Sequence, residues 1–169
     1  NYIRRFEPGA ISVGERIHAS RLGPHITGVA RYSKGLVENG SHIVNLLEAW
    51  LGELVCVEMI TLSGGRESPD QDPDLLLQFN RGEVTLLANR YSGYTLFEID
   101  LLGSEGRMRY QRSGLEILWW DAEEDQYFSE SRILAGKPEE IPNDLLRYQW
   151  HVYQHIEKFL SLPNYVLPC

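Results

Sequence analysis

Three polar side chains have a spacing suited to proton transfer. Glu38, His42 and Asn45 lie in the segment Lys34-Gly-Leu-Val-Glu-Asn-Gly-Ser-His-Ile-Val-Asn45, at i, i+4 and i+7. At about 100° per residue these positions share one stripe of an α-helix. The stripe puts a carboxylate within reach of an imidazole. A carboxylate bonded to one ring nitrogen fixes the tautomer and leaves the other nitrogen free to move a proton. Gly40, between them, permits close approach of a ligand or another backbone. The bland alternative is a solvated polar face with a capping carboxylate, because Glu-x-x-x-His is a common helical spacing.

Other candidates are weaker. Asp70-Gln-Asp-Pro-Asp74 has the look of a calcium loop, but Pro73 and the missing glycine and distal glutamate argue against one. His151 and His155 are i, i+4 without a third ligand, so no metal site is expected. His18 and His25 read as surface residues, and Trp119-Trp120 reads as sheet packing. No Gly-x-Gly-x-x-Gly and no phosphate loop occurs, so the chain alone is expected to bind no dinucleotide.

The elements that must hold the Glu38–Asn45 stripe follow from periodicity. Residues 1–6 read as a short strand. Pro8 suits the first turn of a helix with an Ala10, Val13, Ile17 stripe, ended by Gly23-Pro24. Residues 25–33 read as a strand. A helix from about Asn39 to Leu51 carries Ile43, Leu46, Leu47 and Trp50, with Gly52 as its terminator. Leu54–Leu62 is a nearly continuous apolar run, consistent with a central strand, and 63–74 a loop. Strands are expected at Leu75–Asn80, Glu83–Tyr91, Thr95–Leu102, Arg107–Arg112, Leu115–Asp121 and Gln126–Ile133, joined by tight turns. After a loop over 134–142, Asn143 is placed to cap a last helix reaching Leu160. On that helix Leu146, Trp150, Tyr153 and Leu160 line one side, with Ile156 beside them.

Strands joined by short turns are mostly antiparallel, so the expected fold is α+β. It is a large, open, mostly antiparallel sheet with helices on one face, and residues 1–169 form a single domain. Leu118 and Trp120 oppose Ile117 and Trp119, so both faces of the sheet carry apolar side chains. That predicts a homo-oligomer built through the sheet.

Composition narrows the partners. Hydrophobic residues are 43% and charged residues 24%, an ordinary globular balance. A formal net charge of -8 argues against nucleic acid. No apolar run approaches the roughly 20 residues of a membrane helix, and no signal peptide opens the chain. Cys56 reads as core filler and Cys169 is terminal, which with the missing signal gives a cytoplasmic expectation. Both ends read as cut edges.

The ordered motifs resemble one family. Asn1-Tyr-Ile-Arg-Arg-Phe-Glu-Pro8 is similar to the junction where the glucose–fructose oxidoreductase / inositol dehydrogenase (Gfo/Idh/MocA) family leaves its Rossmann domain. Gly40-Ser-His-Ile-Val-Asn-Leu-Leu47 with Gly52-Glu53 resembles that family's Asp-x-Gly-x-His-x-x-Asp helix and its end. Leu101-Leu-Gly-Ser-Glu-Gly-Arg107 and the Tyr153–Leu160 helix also match, in order, over almost the whole chain.

The resemblance implies the substrate-binding C-terminal domain of an NAD(P)-dependent oxidoreductase acting on a sugar, polyol or nucleotide-sugar hydroxyl. The N-terminal Rossmann domain would lie outside this chain, which alone would be inactive. The family's catalytic His falls on His42. Its Asp four residues earlier falls on Glu38, a longer carboxylate, and its Asp three residues later falls on Asn45, which loses a charge. Its catalytic lysine belongs to the Rossmann half and has no counterpart here. Arg4 or Arg5 would touch substrate at the domain entrance, and Lys34 is a further substrate-binding candidate. NAD or NADP would serve the parent enzyme. The competing expectation is a free-standing, non-catalytic binding or oligomerisation scaffold of the same fold. A non-redox lyase or isomerase using the His–carboxylate pair is a third.

Overall fold

The computed structural model describes residues 2–62, 70–90, 93–128 and 130–162. Its helices are α1 (Pro8–His18), α2 (Ser41–Leu51) and α3 (Tyr148–Ser161). Its strands are β1 (Ile26–Tyr32), β2 (Leu54–Leu62), β3 (Pro73–Phe79), β4 (Gly82–Ala88), β5 (Phe97–Gly103), β6 (Gly106–Gln111), β7 (Glu116–Glu124), β8 (Arg132–Leu134) and β9 (Glu139–Glu140). They form one sheet in the order β2-β3-β4-β1-β5-β6-β7-β8, with β9 also on β7. The β1–β4 pair is parallel, with Ile26 opposite Gly82, and every other described pair is antiparallel. The α+β expectation of an open, mostly antiparallel sheet holds.

The core lies between the sheet and the pair α1 and α2. Ala10, Val13 and Ile17 of α1 are buried with Ile43, Leu46, Leu47 and Trp50 of α2. They meet the alternate inward residues of the strands, such as Ile26, Ala30 and Tyr32 of β1 and Ile99 and Leu101 of β5. Trp50 locks the two helices: its indole N–H donates to Ala10 O at 2.9 Å. A side chain at Gly14 would press the Trp50 ring at 3.2 Å, so the glycine allows the close packing. Glu7 caps α1. Its fully buried carboxylate accepts from Ala10 N at 2.8 Å and from Asp144 N at 2.6 Å, tying the start of α1 to the approach to α3.

Several local expectations give way to tertiary context. The segment expected as a strand at the start is a 3-10 turn over Ile3–Phe6. It has no strand to pair with, and turning places Arg4 over the Phe97 ring. The apolar run Leu54–Leu62 is an edge strand, not a central one, with Val55, Val57, Met59, Ile60 and Leu62 exposed. An apolar run alone does not reveal how many neighbours a strand has. The Gln126–Ile133 strand shrinks to Arg132–Leu134. Asn143 caps nothing: its amide donates to Leu115 O at 3.2 Å. The last helix begins later, at Tyr148, after a 3-10 turn over Leu145–Arg147. Its Trp150, Tyr153 and Leu160 are exposed, as is Leu146 in the turn before it, and the residue it buries is His151. No described helix is long and apolar enough to cross a membrane.

Candidate functional site

The turn that leads into α2 is built by carboxylates from a distant segment. Asp70 accepts from Val37 N and Glu38 N, both at 2.9 Å. Asp72 accepts from Gly35 N at 2.8 Å. Leu36 N donates to Gln71 O at 3.0 Å, and the buried Tyr32 hydroxyl donates to Pro73 O at 2.8 Å. Burial, then the nearby Asp72, Asp74 and Asp70 carboxylates, push the Tyr32 phenol up, so it stays protonated as a donor. Gly35 sits at φ 98°, and a side chain there would collide with the Asp70 carboxylate. The acidic stretch with the look of a calcium loop is therefore a clasp for this turn. Its third carboxylate, Asp74, accepts from Ala88 N at 2.8 Å and pairs with Arg90.

The clasped turn is a π-helical segment, Leu36–Gly40, that runs directly into α2. Its wider winding takes Glu38 off the α-helical stripe expected for Glu38, His42 and Asn45. Glu38 is exposed, and among the described residues no hydrogen bond joins it to His42. Lys34 is also exposed, at φ 69° just before Gly35.

His42 is the second residue of α2 and is partly buried. Its Nδ1 is shielded from solvent and has no hydrogen-bond partner among the described residues. The Tyr2 ring packs edge-on against it, centroids 5.2 Å apart. Burial, and then the positive charge of Arg4, hold the imidazole below its ordinary pKa, so it is neutral near pH 7. A carboxylate at bonding distance would have moved it the other way.

Arg4 and Arg5 part company. Arg4 donates to Ser113 O and, at 3.4 Å, to the Tyr110 hydroxyl, with its guanidinium 4.2 Å from the Phe97 ring centroid. Much of its donor capacity is spent inside the domain. Arg5 lines a separate hollow between α1 and α2 beside Gly14 and Trp50, and its buried Nε has no partner among the described residues. Asn45 lies on a third surface, a groove between α2 and the β2–β3 edge that Tyr2 also lines. Tyr2 thus touches His42 on one side and borders the Asn45 groove on the other.

The structure brings His42, Arg4 and Tyr2 together, sets Asn45 just beyond Tyr2, and leaves Lys34, Glu38 and Arg5 apart from them. Tyr2 and the clasping role of Asp70 and Asp72 escaped the sequence reading, which weighed the two aspartates only as part of a calcium-loop look-alike. Tyr2 was masked by an expected strand. The two aspartates act across long sequence separations that no spacing rule reaches. His151 and His155 also separate: His151 Nε2 lies 3.0 Å from Asp144 Oδ2, whereas His155 packs on Phe6.

No family model matches the chain, and no curated protein matches it. Solved structures do. An oxidoreductase from Sinorhizobium meliloti aligns at TM-score 0.66 and 15% identity, over 95% of this chain and 53% of its own. An oxidoreductase from Agrobacterium radiobacter, solved with NAD+, L-tartaric acid and magnesium, aligns at TM-score 0.64 and 15% identity, over 99% and 56%. Levoglucosan dehydrogenase in complex with NADH aligns at TM-score 0.61 and 12% identity, over 82% and 45%. The chain spans about half the length of these structures. Most of this chain therefore shares its fold with about one half of each of these oxidoreductase structures.

Proposed function

We propose that this chain is the substrate-binding C-terminal half of an NAD(P)-dependent oxidoreductase that acts on a hydroxyl of a sugar or polyol. The observation that carries the reading is His42: a partly buried imidazole, held neutral, with a ring nitrogen that lacks a partner among the described residues. It stands on a fold shared with dinucleotide-complexed oxidoreductases.

The dinucleotide itself fits no described element of this chain. The turn after β1 that opens α2 carries Gly35 and Gly40 but not the Gly-x-Gly-x-x-Gly pattern, and its N–H groups at Gly35, Val37 and Glu38 are already bonded to Asp72 and Asp70, which leaves them no capacity to cradle a pyrophosphate. Hydride chemistry is supplied by a cofactor held on another domain. The work of this chain is to bind the hydroxyl-bearing carbon, take its proton at His42 and keep water away. Neutral His42 is the competent proton acceptor. Tyr2 shields it until substrate arrives. Glu38, exposed on the π-helical turn before α2, makes no hydrogen bond to His42 among the described residues and takes no part in holding its charge. Asn45 offers an amide to a second hydroxyl, and Arg4 is the cation near His42.

In the intact oxidoreductase, His42→Ala should lower turnover by about 10²–10⁴-fold while circular dichroism shows the fold retained. Near-normal turnover would end the catalytic reading. Asn45→Ala should mainly raise KM. The isolated chain should give no heat with NAD(H) or NADP(H) by calorimetry; micromolar affinity would overturn the division of labour. The outer sheet face carries half-exposed Leu118 and Trp120 around the Arg107–Asp100 pair. Self-association through that face should bury roughly 800 Å² per partner, and sedimentation showing a monomer at high concentration would refute it.

A further inference from the structure

The groove beside Asn45 has two unlike walls. On one, Ser41, Asn45 and Glu48 rise from successive turns of α2. They present a hydroxyl, an amide and a carboxylate. The Ser41 hydroxyl donates to Val37 O at 2.7 Å, which leaves its oxygen free to accept. The facing wall is apolar: Leu54 and Val57 of β2, Leu75 and Leu77 of β3. Val57 is 50% exposed although its lining neighbours Leu75 and Leu77 belong to the core. The hollow measures about 390 Å³, within the roughly 300–1,000 Å³ usual for small-molecule sites.

Charge narrows the occupant. Among the described lining residues there is one carboxylate, Glu48, and no lysine, arginine or histidine. A pyrophosphate needs cations or a cradle of backbone N–H groups, and the described lining supplies no cation. A neutral ligand with an apolar face and a hydroxylated edge matches both walls. The groove is also one ring away from the proposed chemistry, because Tyr2 borders it and packs on His42.

We propose that this groove takes the apolar appendage of a neutral sugar conjugate, so that the substrate class is a glycoside with a hydrophobic aglycone and not a nucleotide-linked sugar. The sugar hydroxyl under oxidation lies at His42. A neighbouring hydroxyl meets Asn45 or Ser41, and the aglycone lies on Val57, Leu75 and Leu77. This rests on the proposed function for the position of the sugar, but it concerns binding and requires neither cofactor nor turnover.

The test is calorimetric titration of the chain with four p-nitrophenyl pyranosides (gluco, galacto, manno and xylo), their methyl counterparts, p-nitrophenol and UDP-glucose. At least one aryl pyranoside should bind about tenfold or more tighter than its methyl counterpart, because its ring buries apolar area on the β2–β3 wall. Val57→Asn, an exposed edge position, should remove that gain and leave methyl pyranoside binding unchanged. Asn45→Leu should weaken aryl and methyl pyranosides alike. Equal affinity of aryl and methyl pyranosides, no binding by any pyranoside, p-nitrophenol binding as tightly as its glycoside, or UDP-glucose binding tightest would each overturn the proposal. An aryl gain that persists when His42→Ala leaves turnover intact would sink the catalytic reading and spare the groove. A lost gain with His42 still essential would do the reverse.

Discussion

α2 and α3 are amphipathic helices of comparable length, and they use their apolar stripes in opposite ways. α2 buries Ile43, Leu46, Leu47, Trp50 and Leu51 against α1 and the sheet. α3 turns Trp150, Tyr153 and Leu160 outward and buries only His151. Periodicity specifies that a stripe exists; a packing partner decides whether it is covered. α2 is fixed at both ends of its stripe, by the Trp50–Ala10 bond and by the Asp70 clasp on the preceding turn. α3 meets the body through the turn at Ile3–Phe6 and through Asp144, which Glu7 holds. The candidate site stands on the better-fixed of the two helices, as a proton-transfer site requires.

The largest contrast should come from paired tryptophan deletions. Trp50→Ala should cost about 3–5 kcal/mol in denaturant unfolding, from lost burial and a cavity at the α1–α2 contact. Trp150→Ala, at a position 55% exposed, should stay within about 0.5 kcal/mol. Equal losses would mean that the stripe on α3 is covered in solution.

A smaller effect should follow from Glu7→Ala, which leaves Ala10 N and Asp144 N without their shared acceptor. About 2–3 kcal/mol should be lost. Hydrogen exchange should rise at the start of α1 and in α3 together, and a rise in α1 alone would break the proposed tie.

Asp70→Ala should cost about 1–2 kcal/mol, as removal of a helix cap does. Exchange at Val37 and Glu38 should quicken while the centre of α2 stays protected. Unchanged exchange at those two amides would refute the clasp.

The subtlest test is titration. His42 and His155 are both held below the ordinary histidine value, chiefly by burial. The unfolded chain therefore takes up protons first as pH falls. Their contribution to stability is complete above about pH 6.5 and is lost as pH drops through the depressed folded values. Tyr2→Ala hydrates the His42 ring, so its NMR titration midpoint should move up toward the ordinary value, with His155 unmoved. A fixed His42 midpoint would show that Tyr2 is not its cover.

Much of this architecture was legible in one sequence because it is written in short-range patterns. The alternation Phe97, Ile99, Leu101 and the i, i+3, i+4, i+7 set on α2 each report a local period and a single buried face. What escaped was set by distant partners. Leu54–Leu62 looks like a central strand until its neighbours are counted. Residues 1–6 alternate like a strand, yet Arg4 finds Tyr110 and Ser113 more than half the chain away. At the site, His42 and Asn45 fall where an α-helix puts them. Glu38 does not, because the π-helical turn that carries it is shaped by Asp70, which belongs to another segment.

The parallel pairing of β1 with β4 also bears on the order of assembly. The connection between them contains the clasped turn, α2, β2, β3 and the aspartates that do the clasping. A hairpin closes locally and early, but a parallel pair must wait for its long crossover to be drawn in. Asp70 and Asp72 lead directly into β3, so they reach Gly35–Glu38 only when the β3–β4 hairpin docks beside β1. The cradle of His42 should therefore mature late in folding, in step with the centre of the sheet. Pulse-labelled exchange during refolding should show Val37 and Glu38 gaining protection with β1, after the β5–β6 hairpin; earlier protection would mean that the turn forms without its clasp.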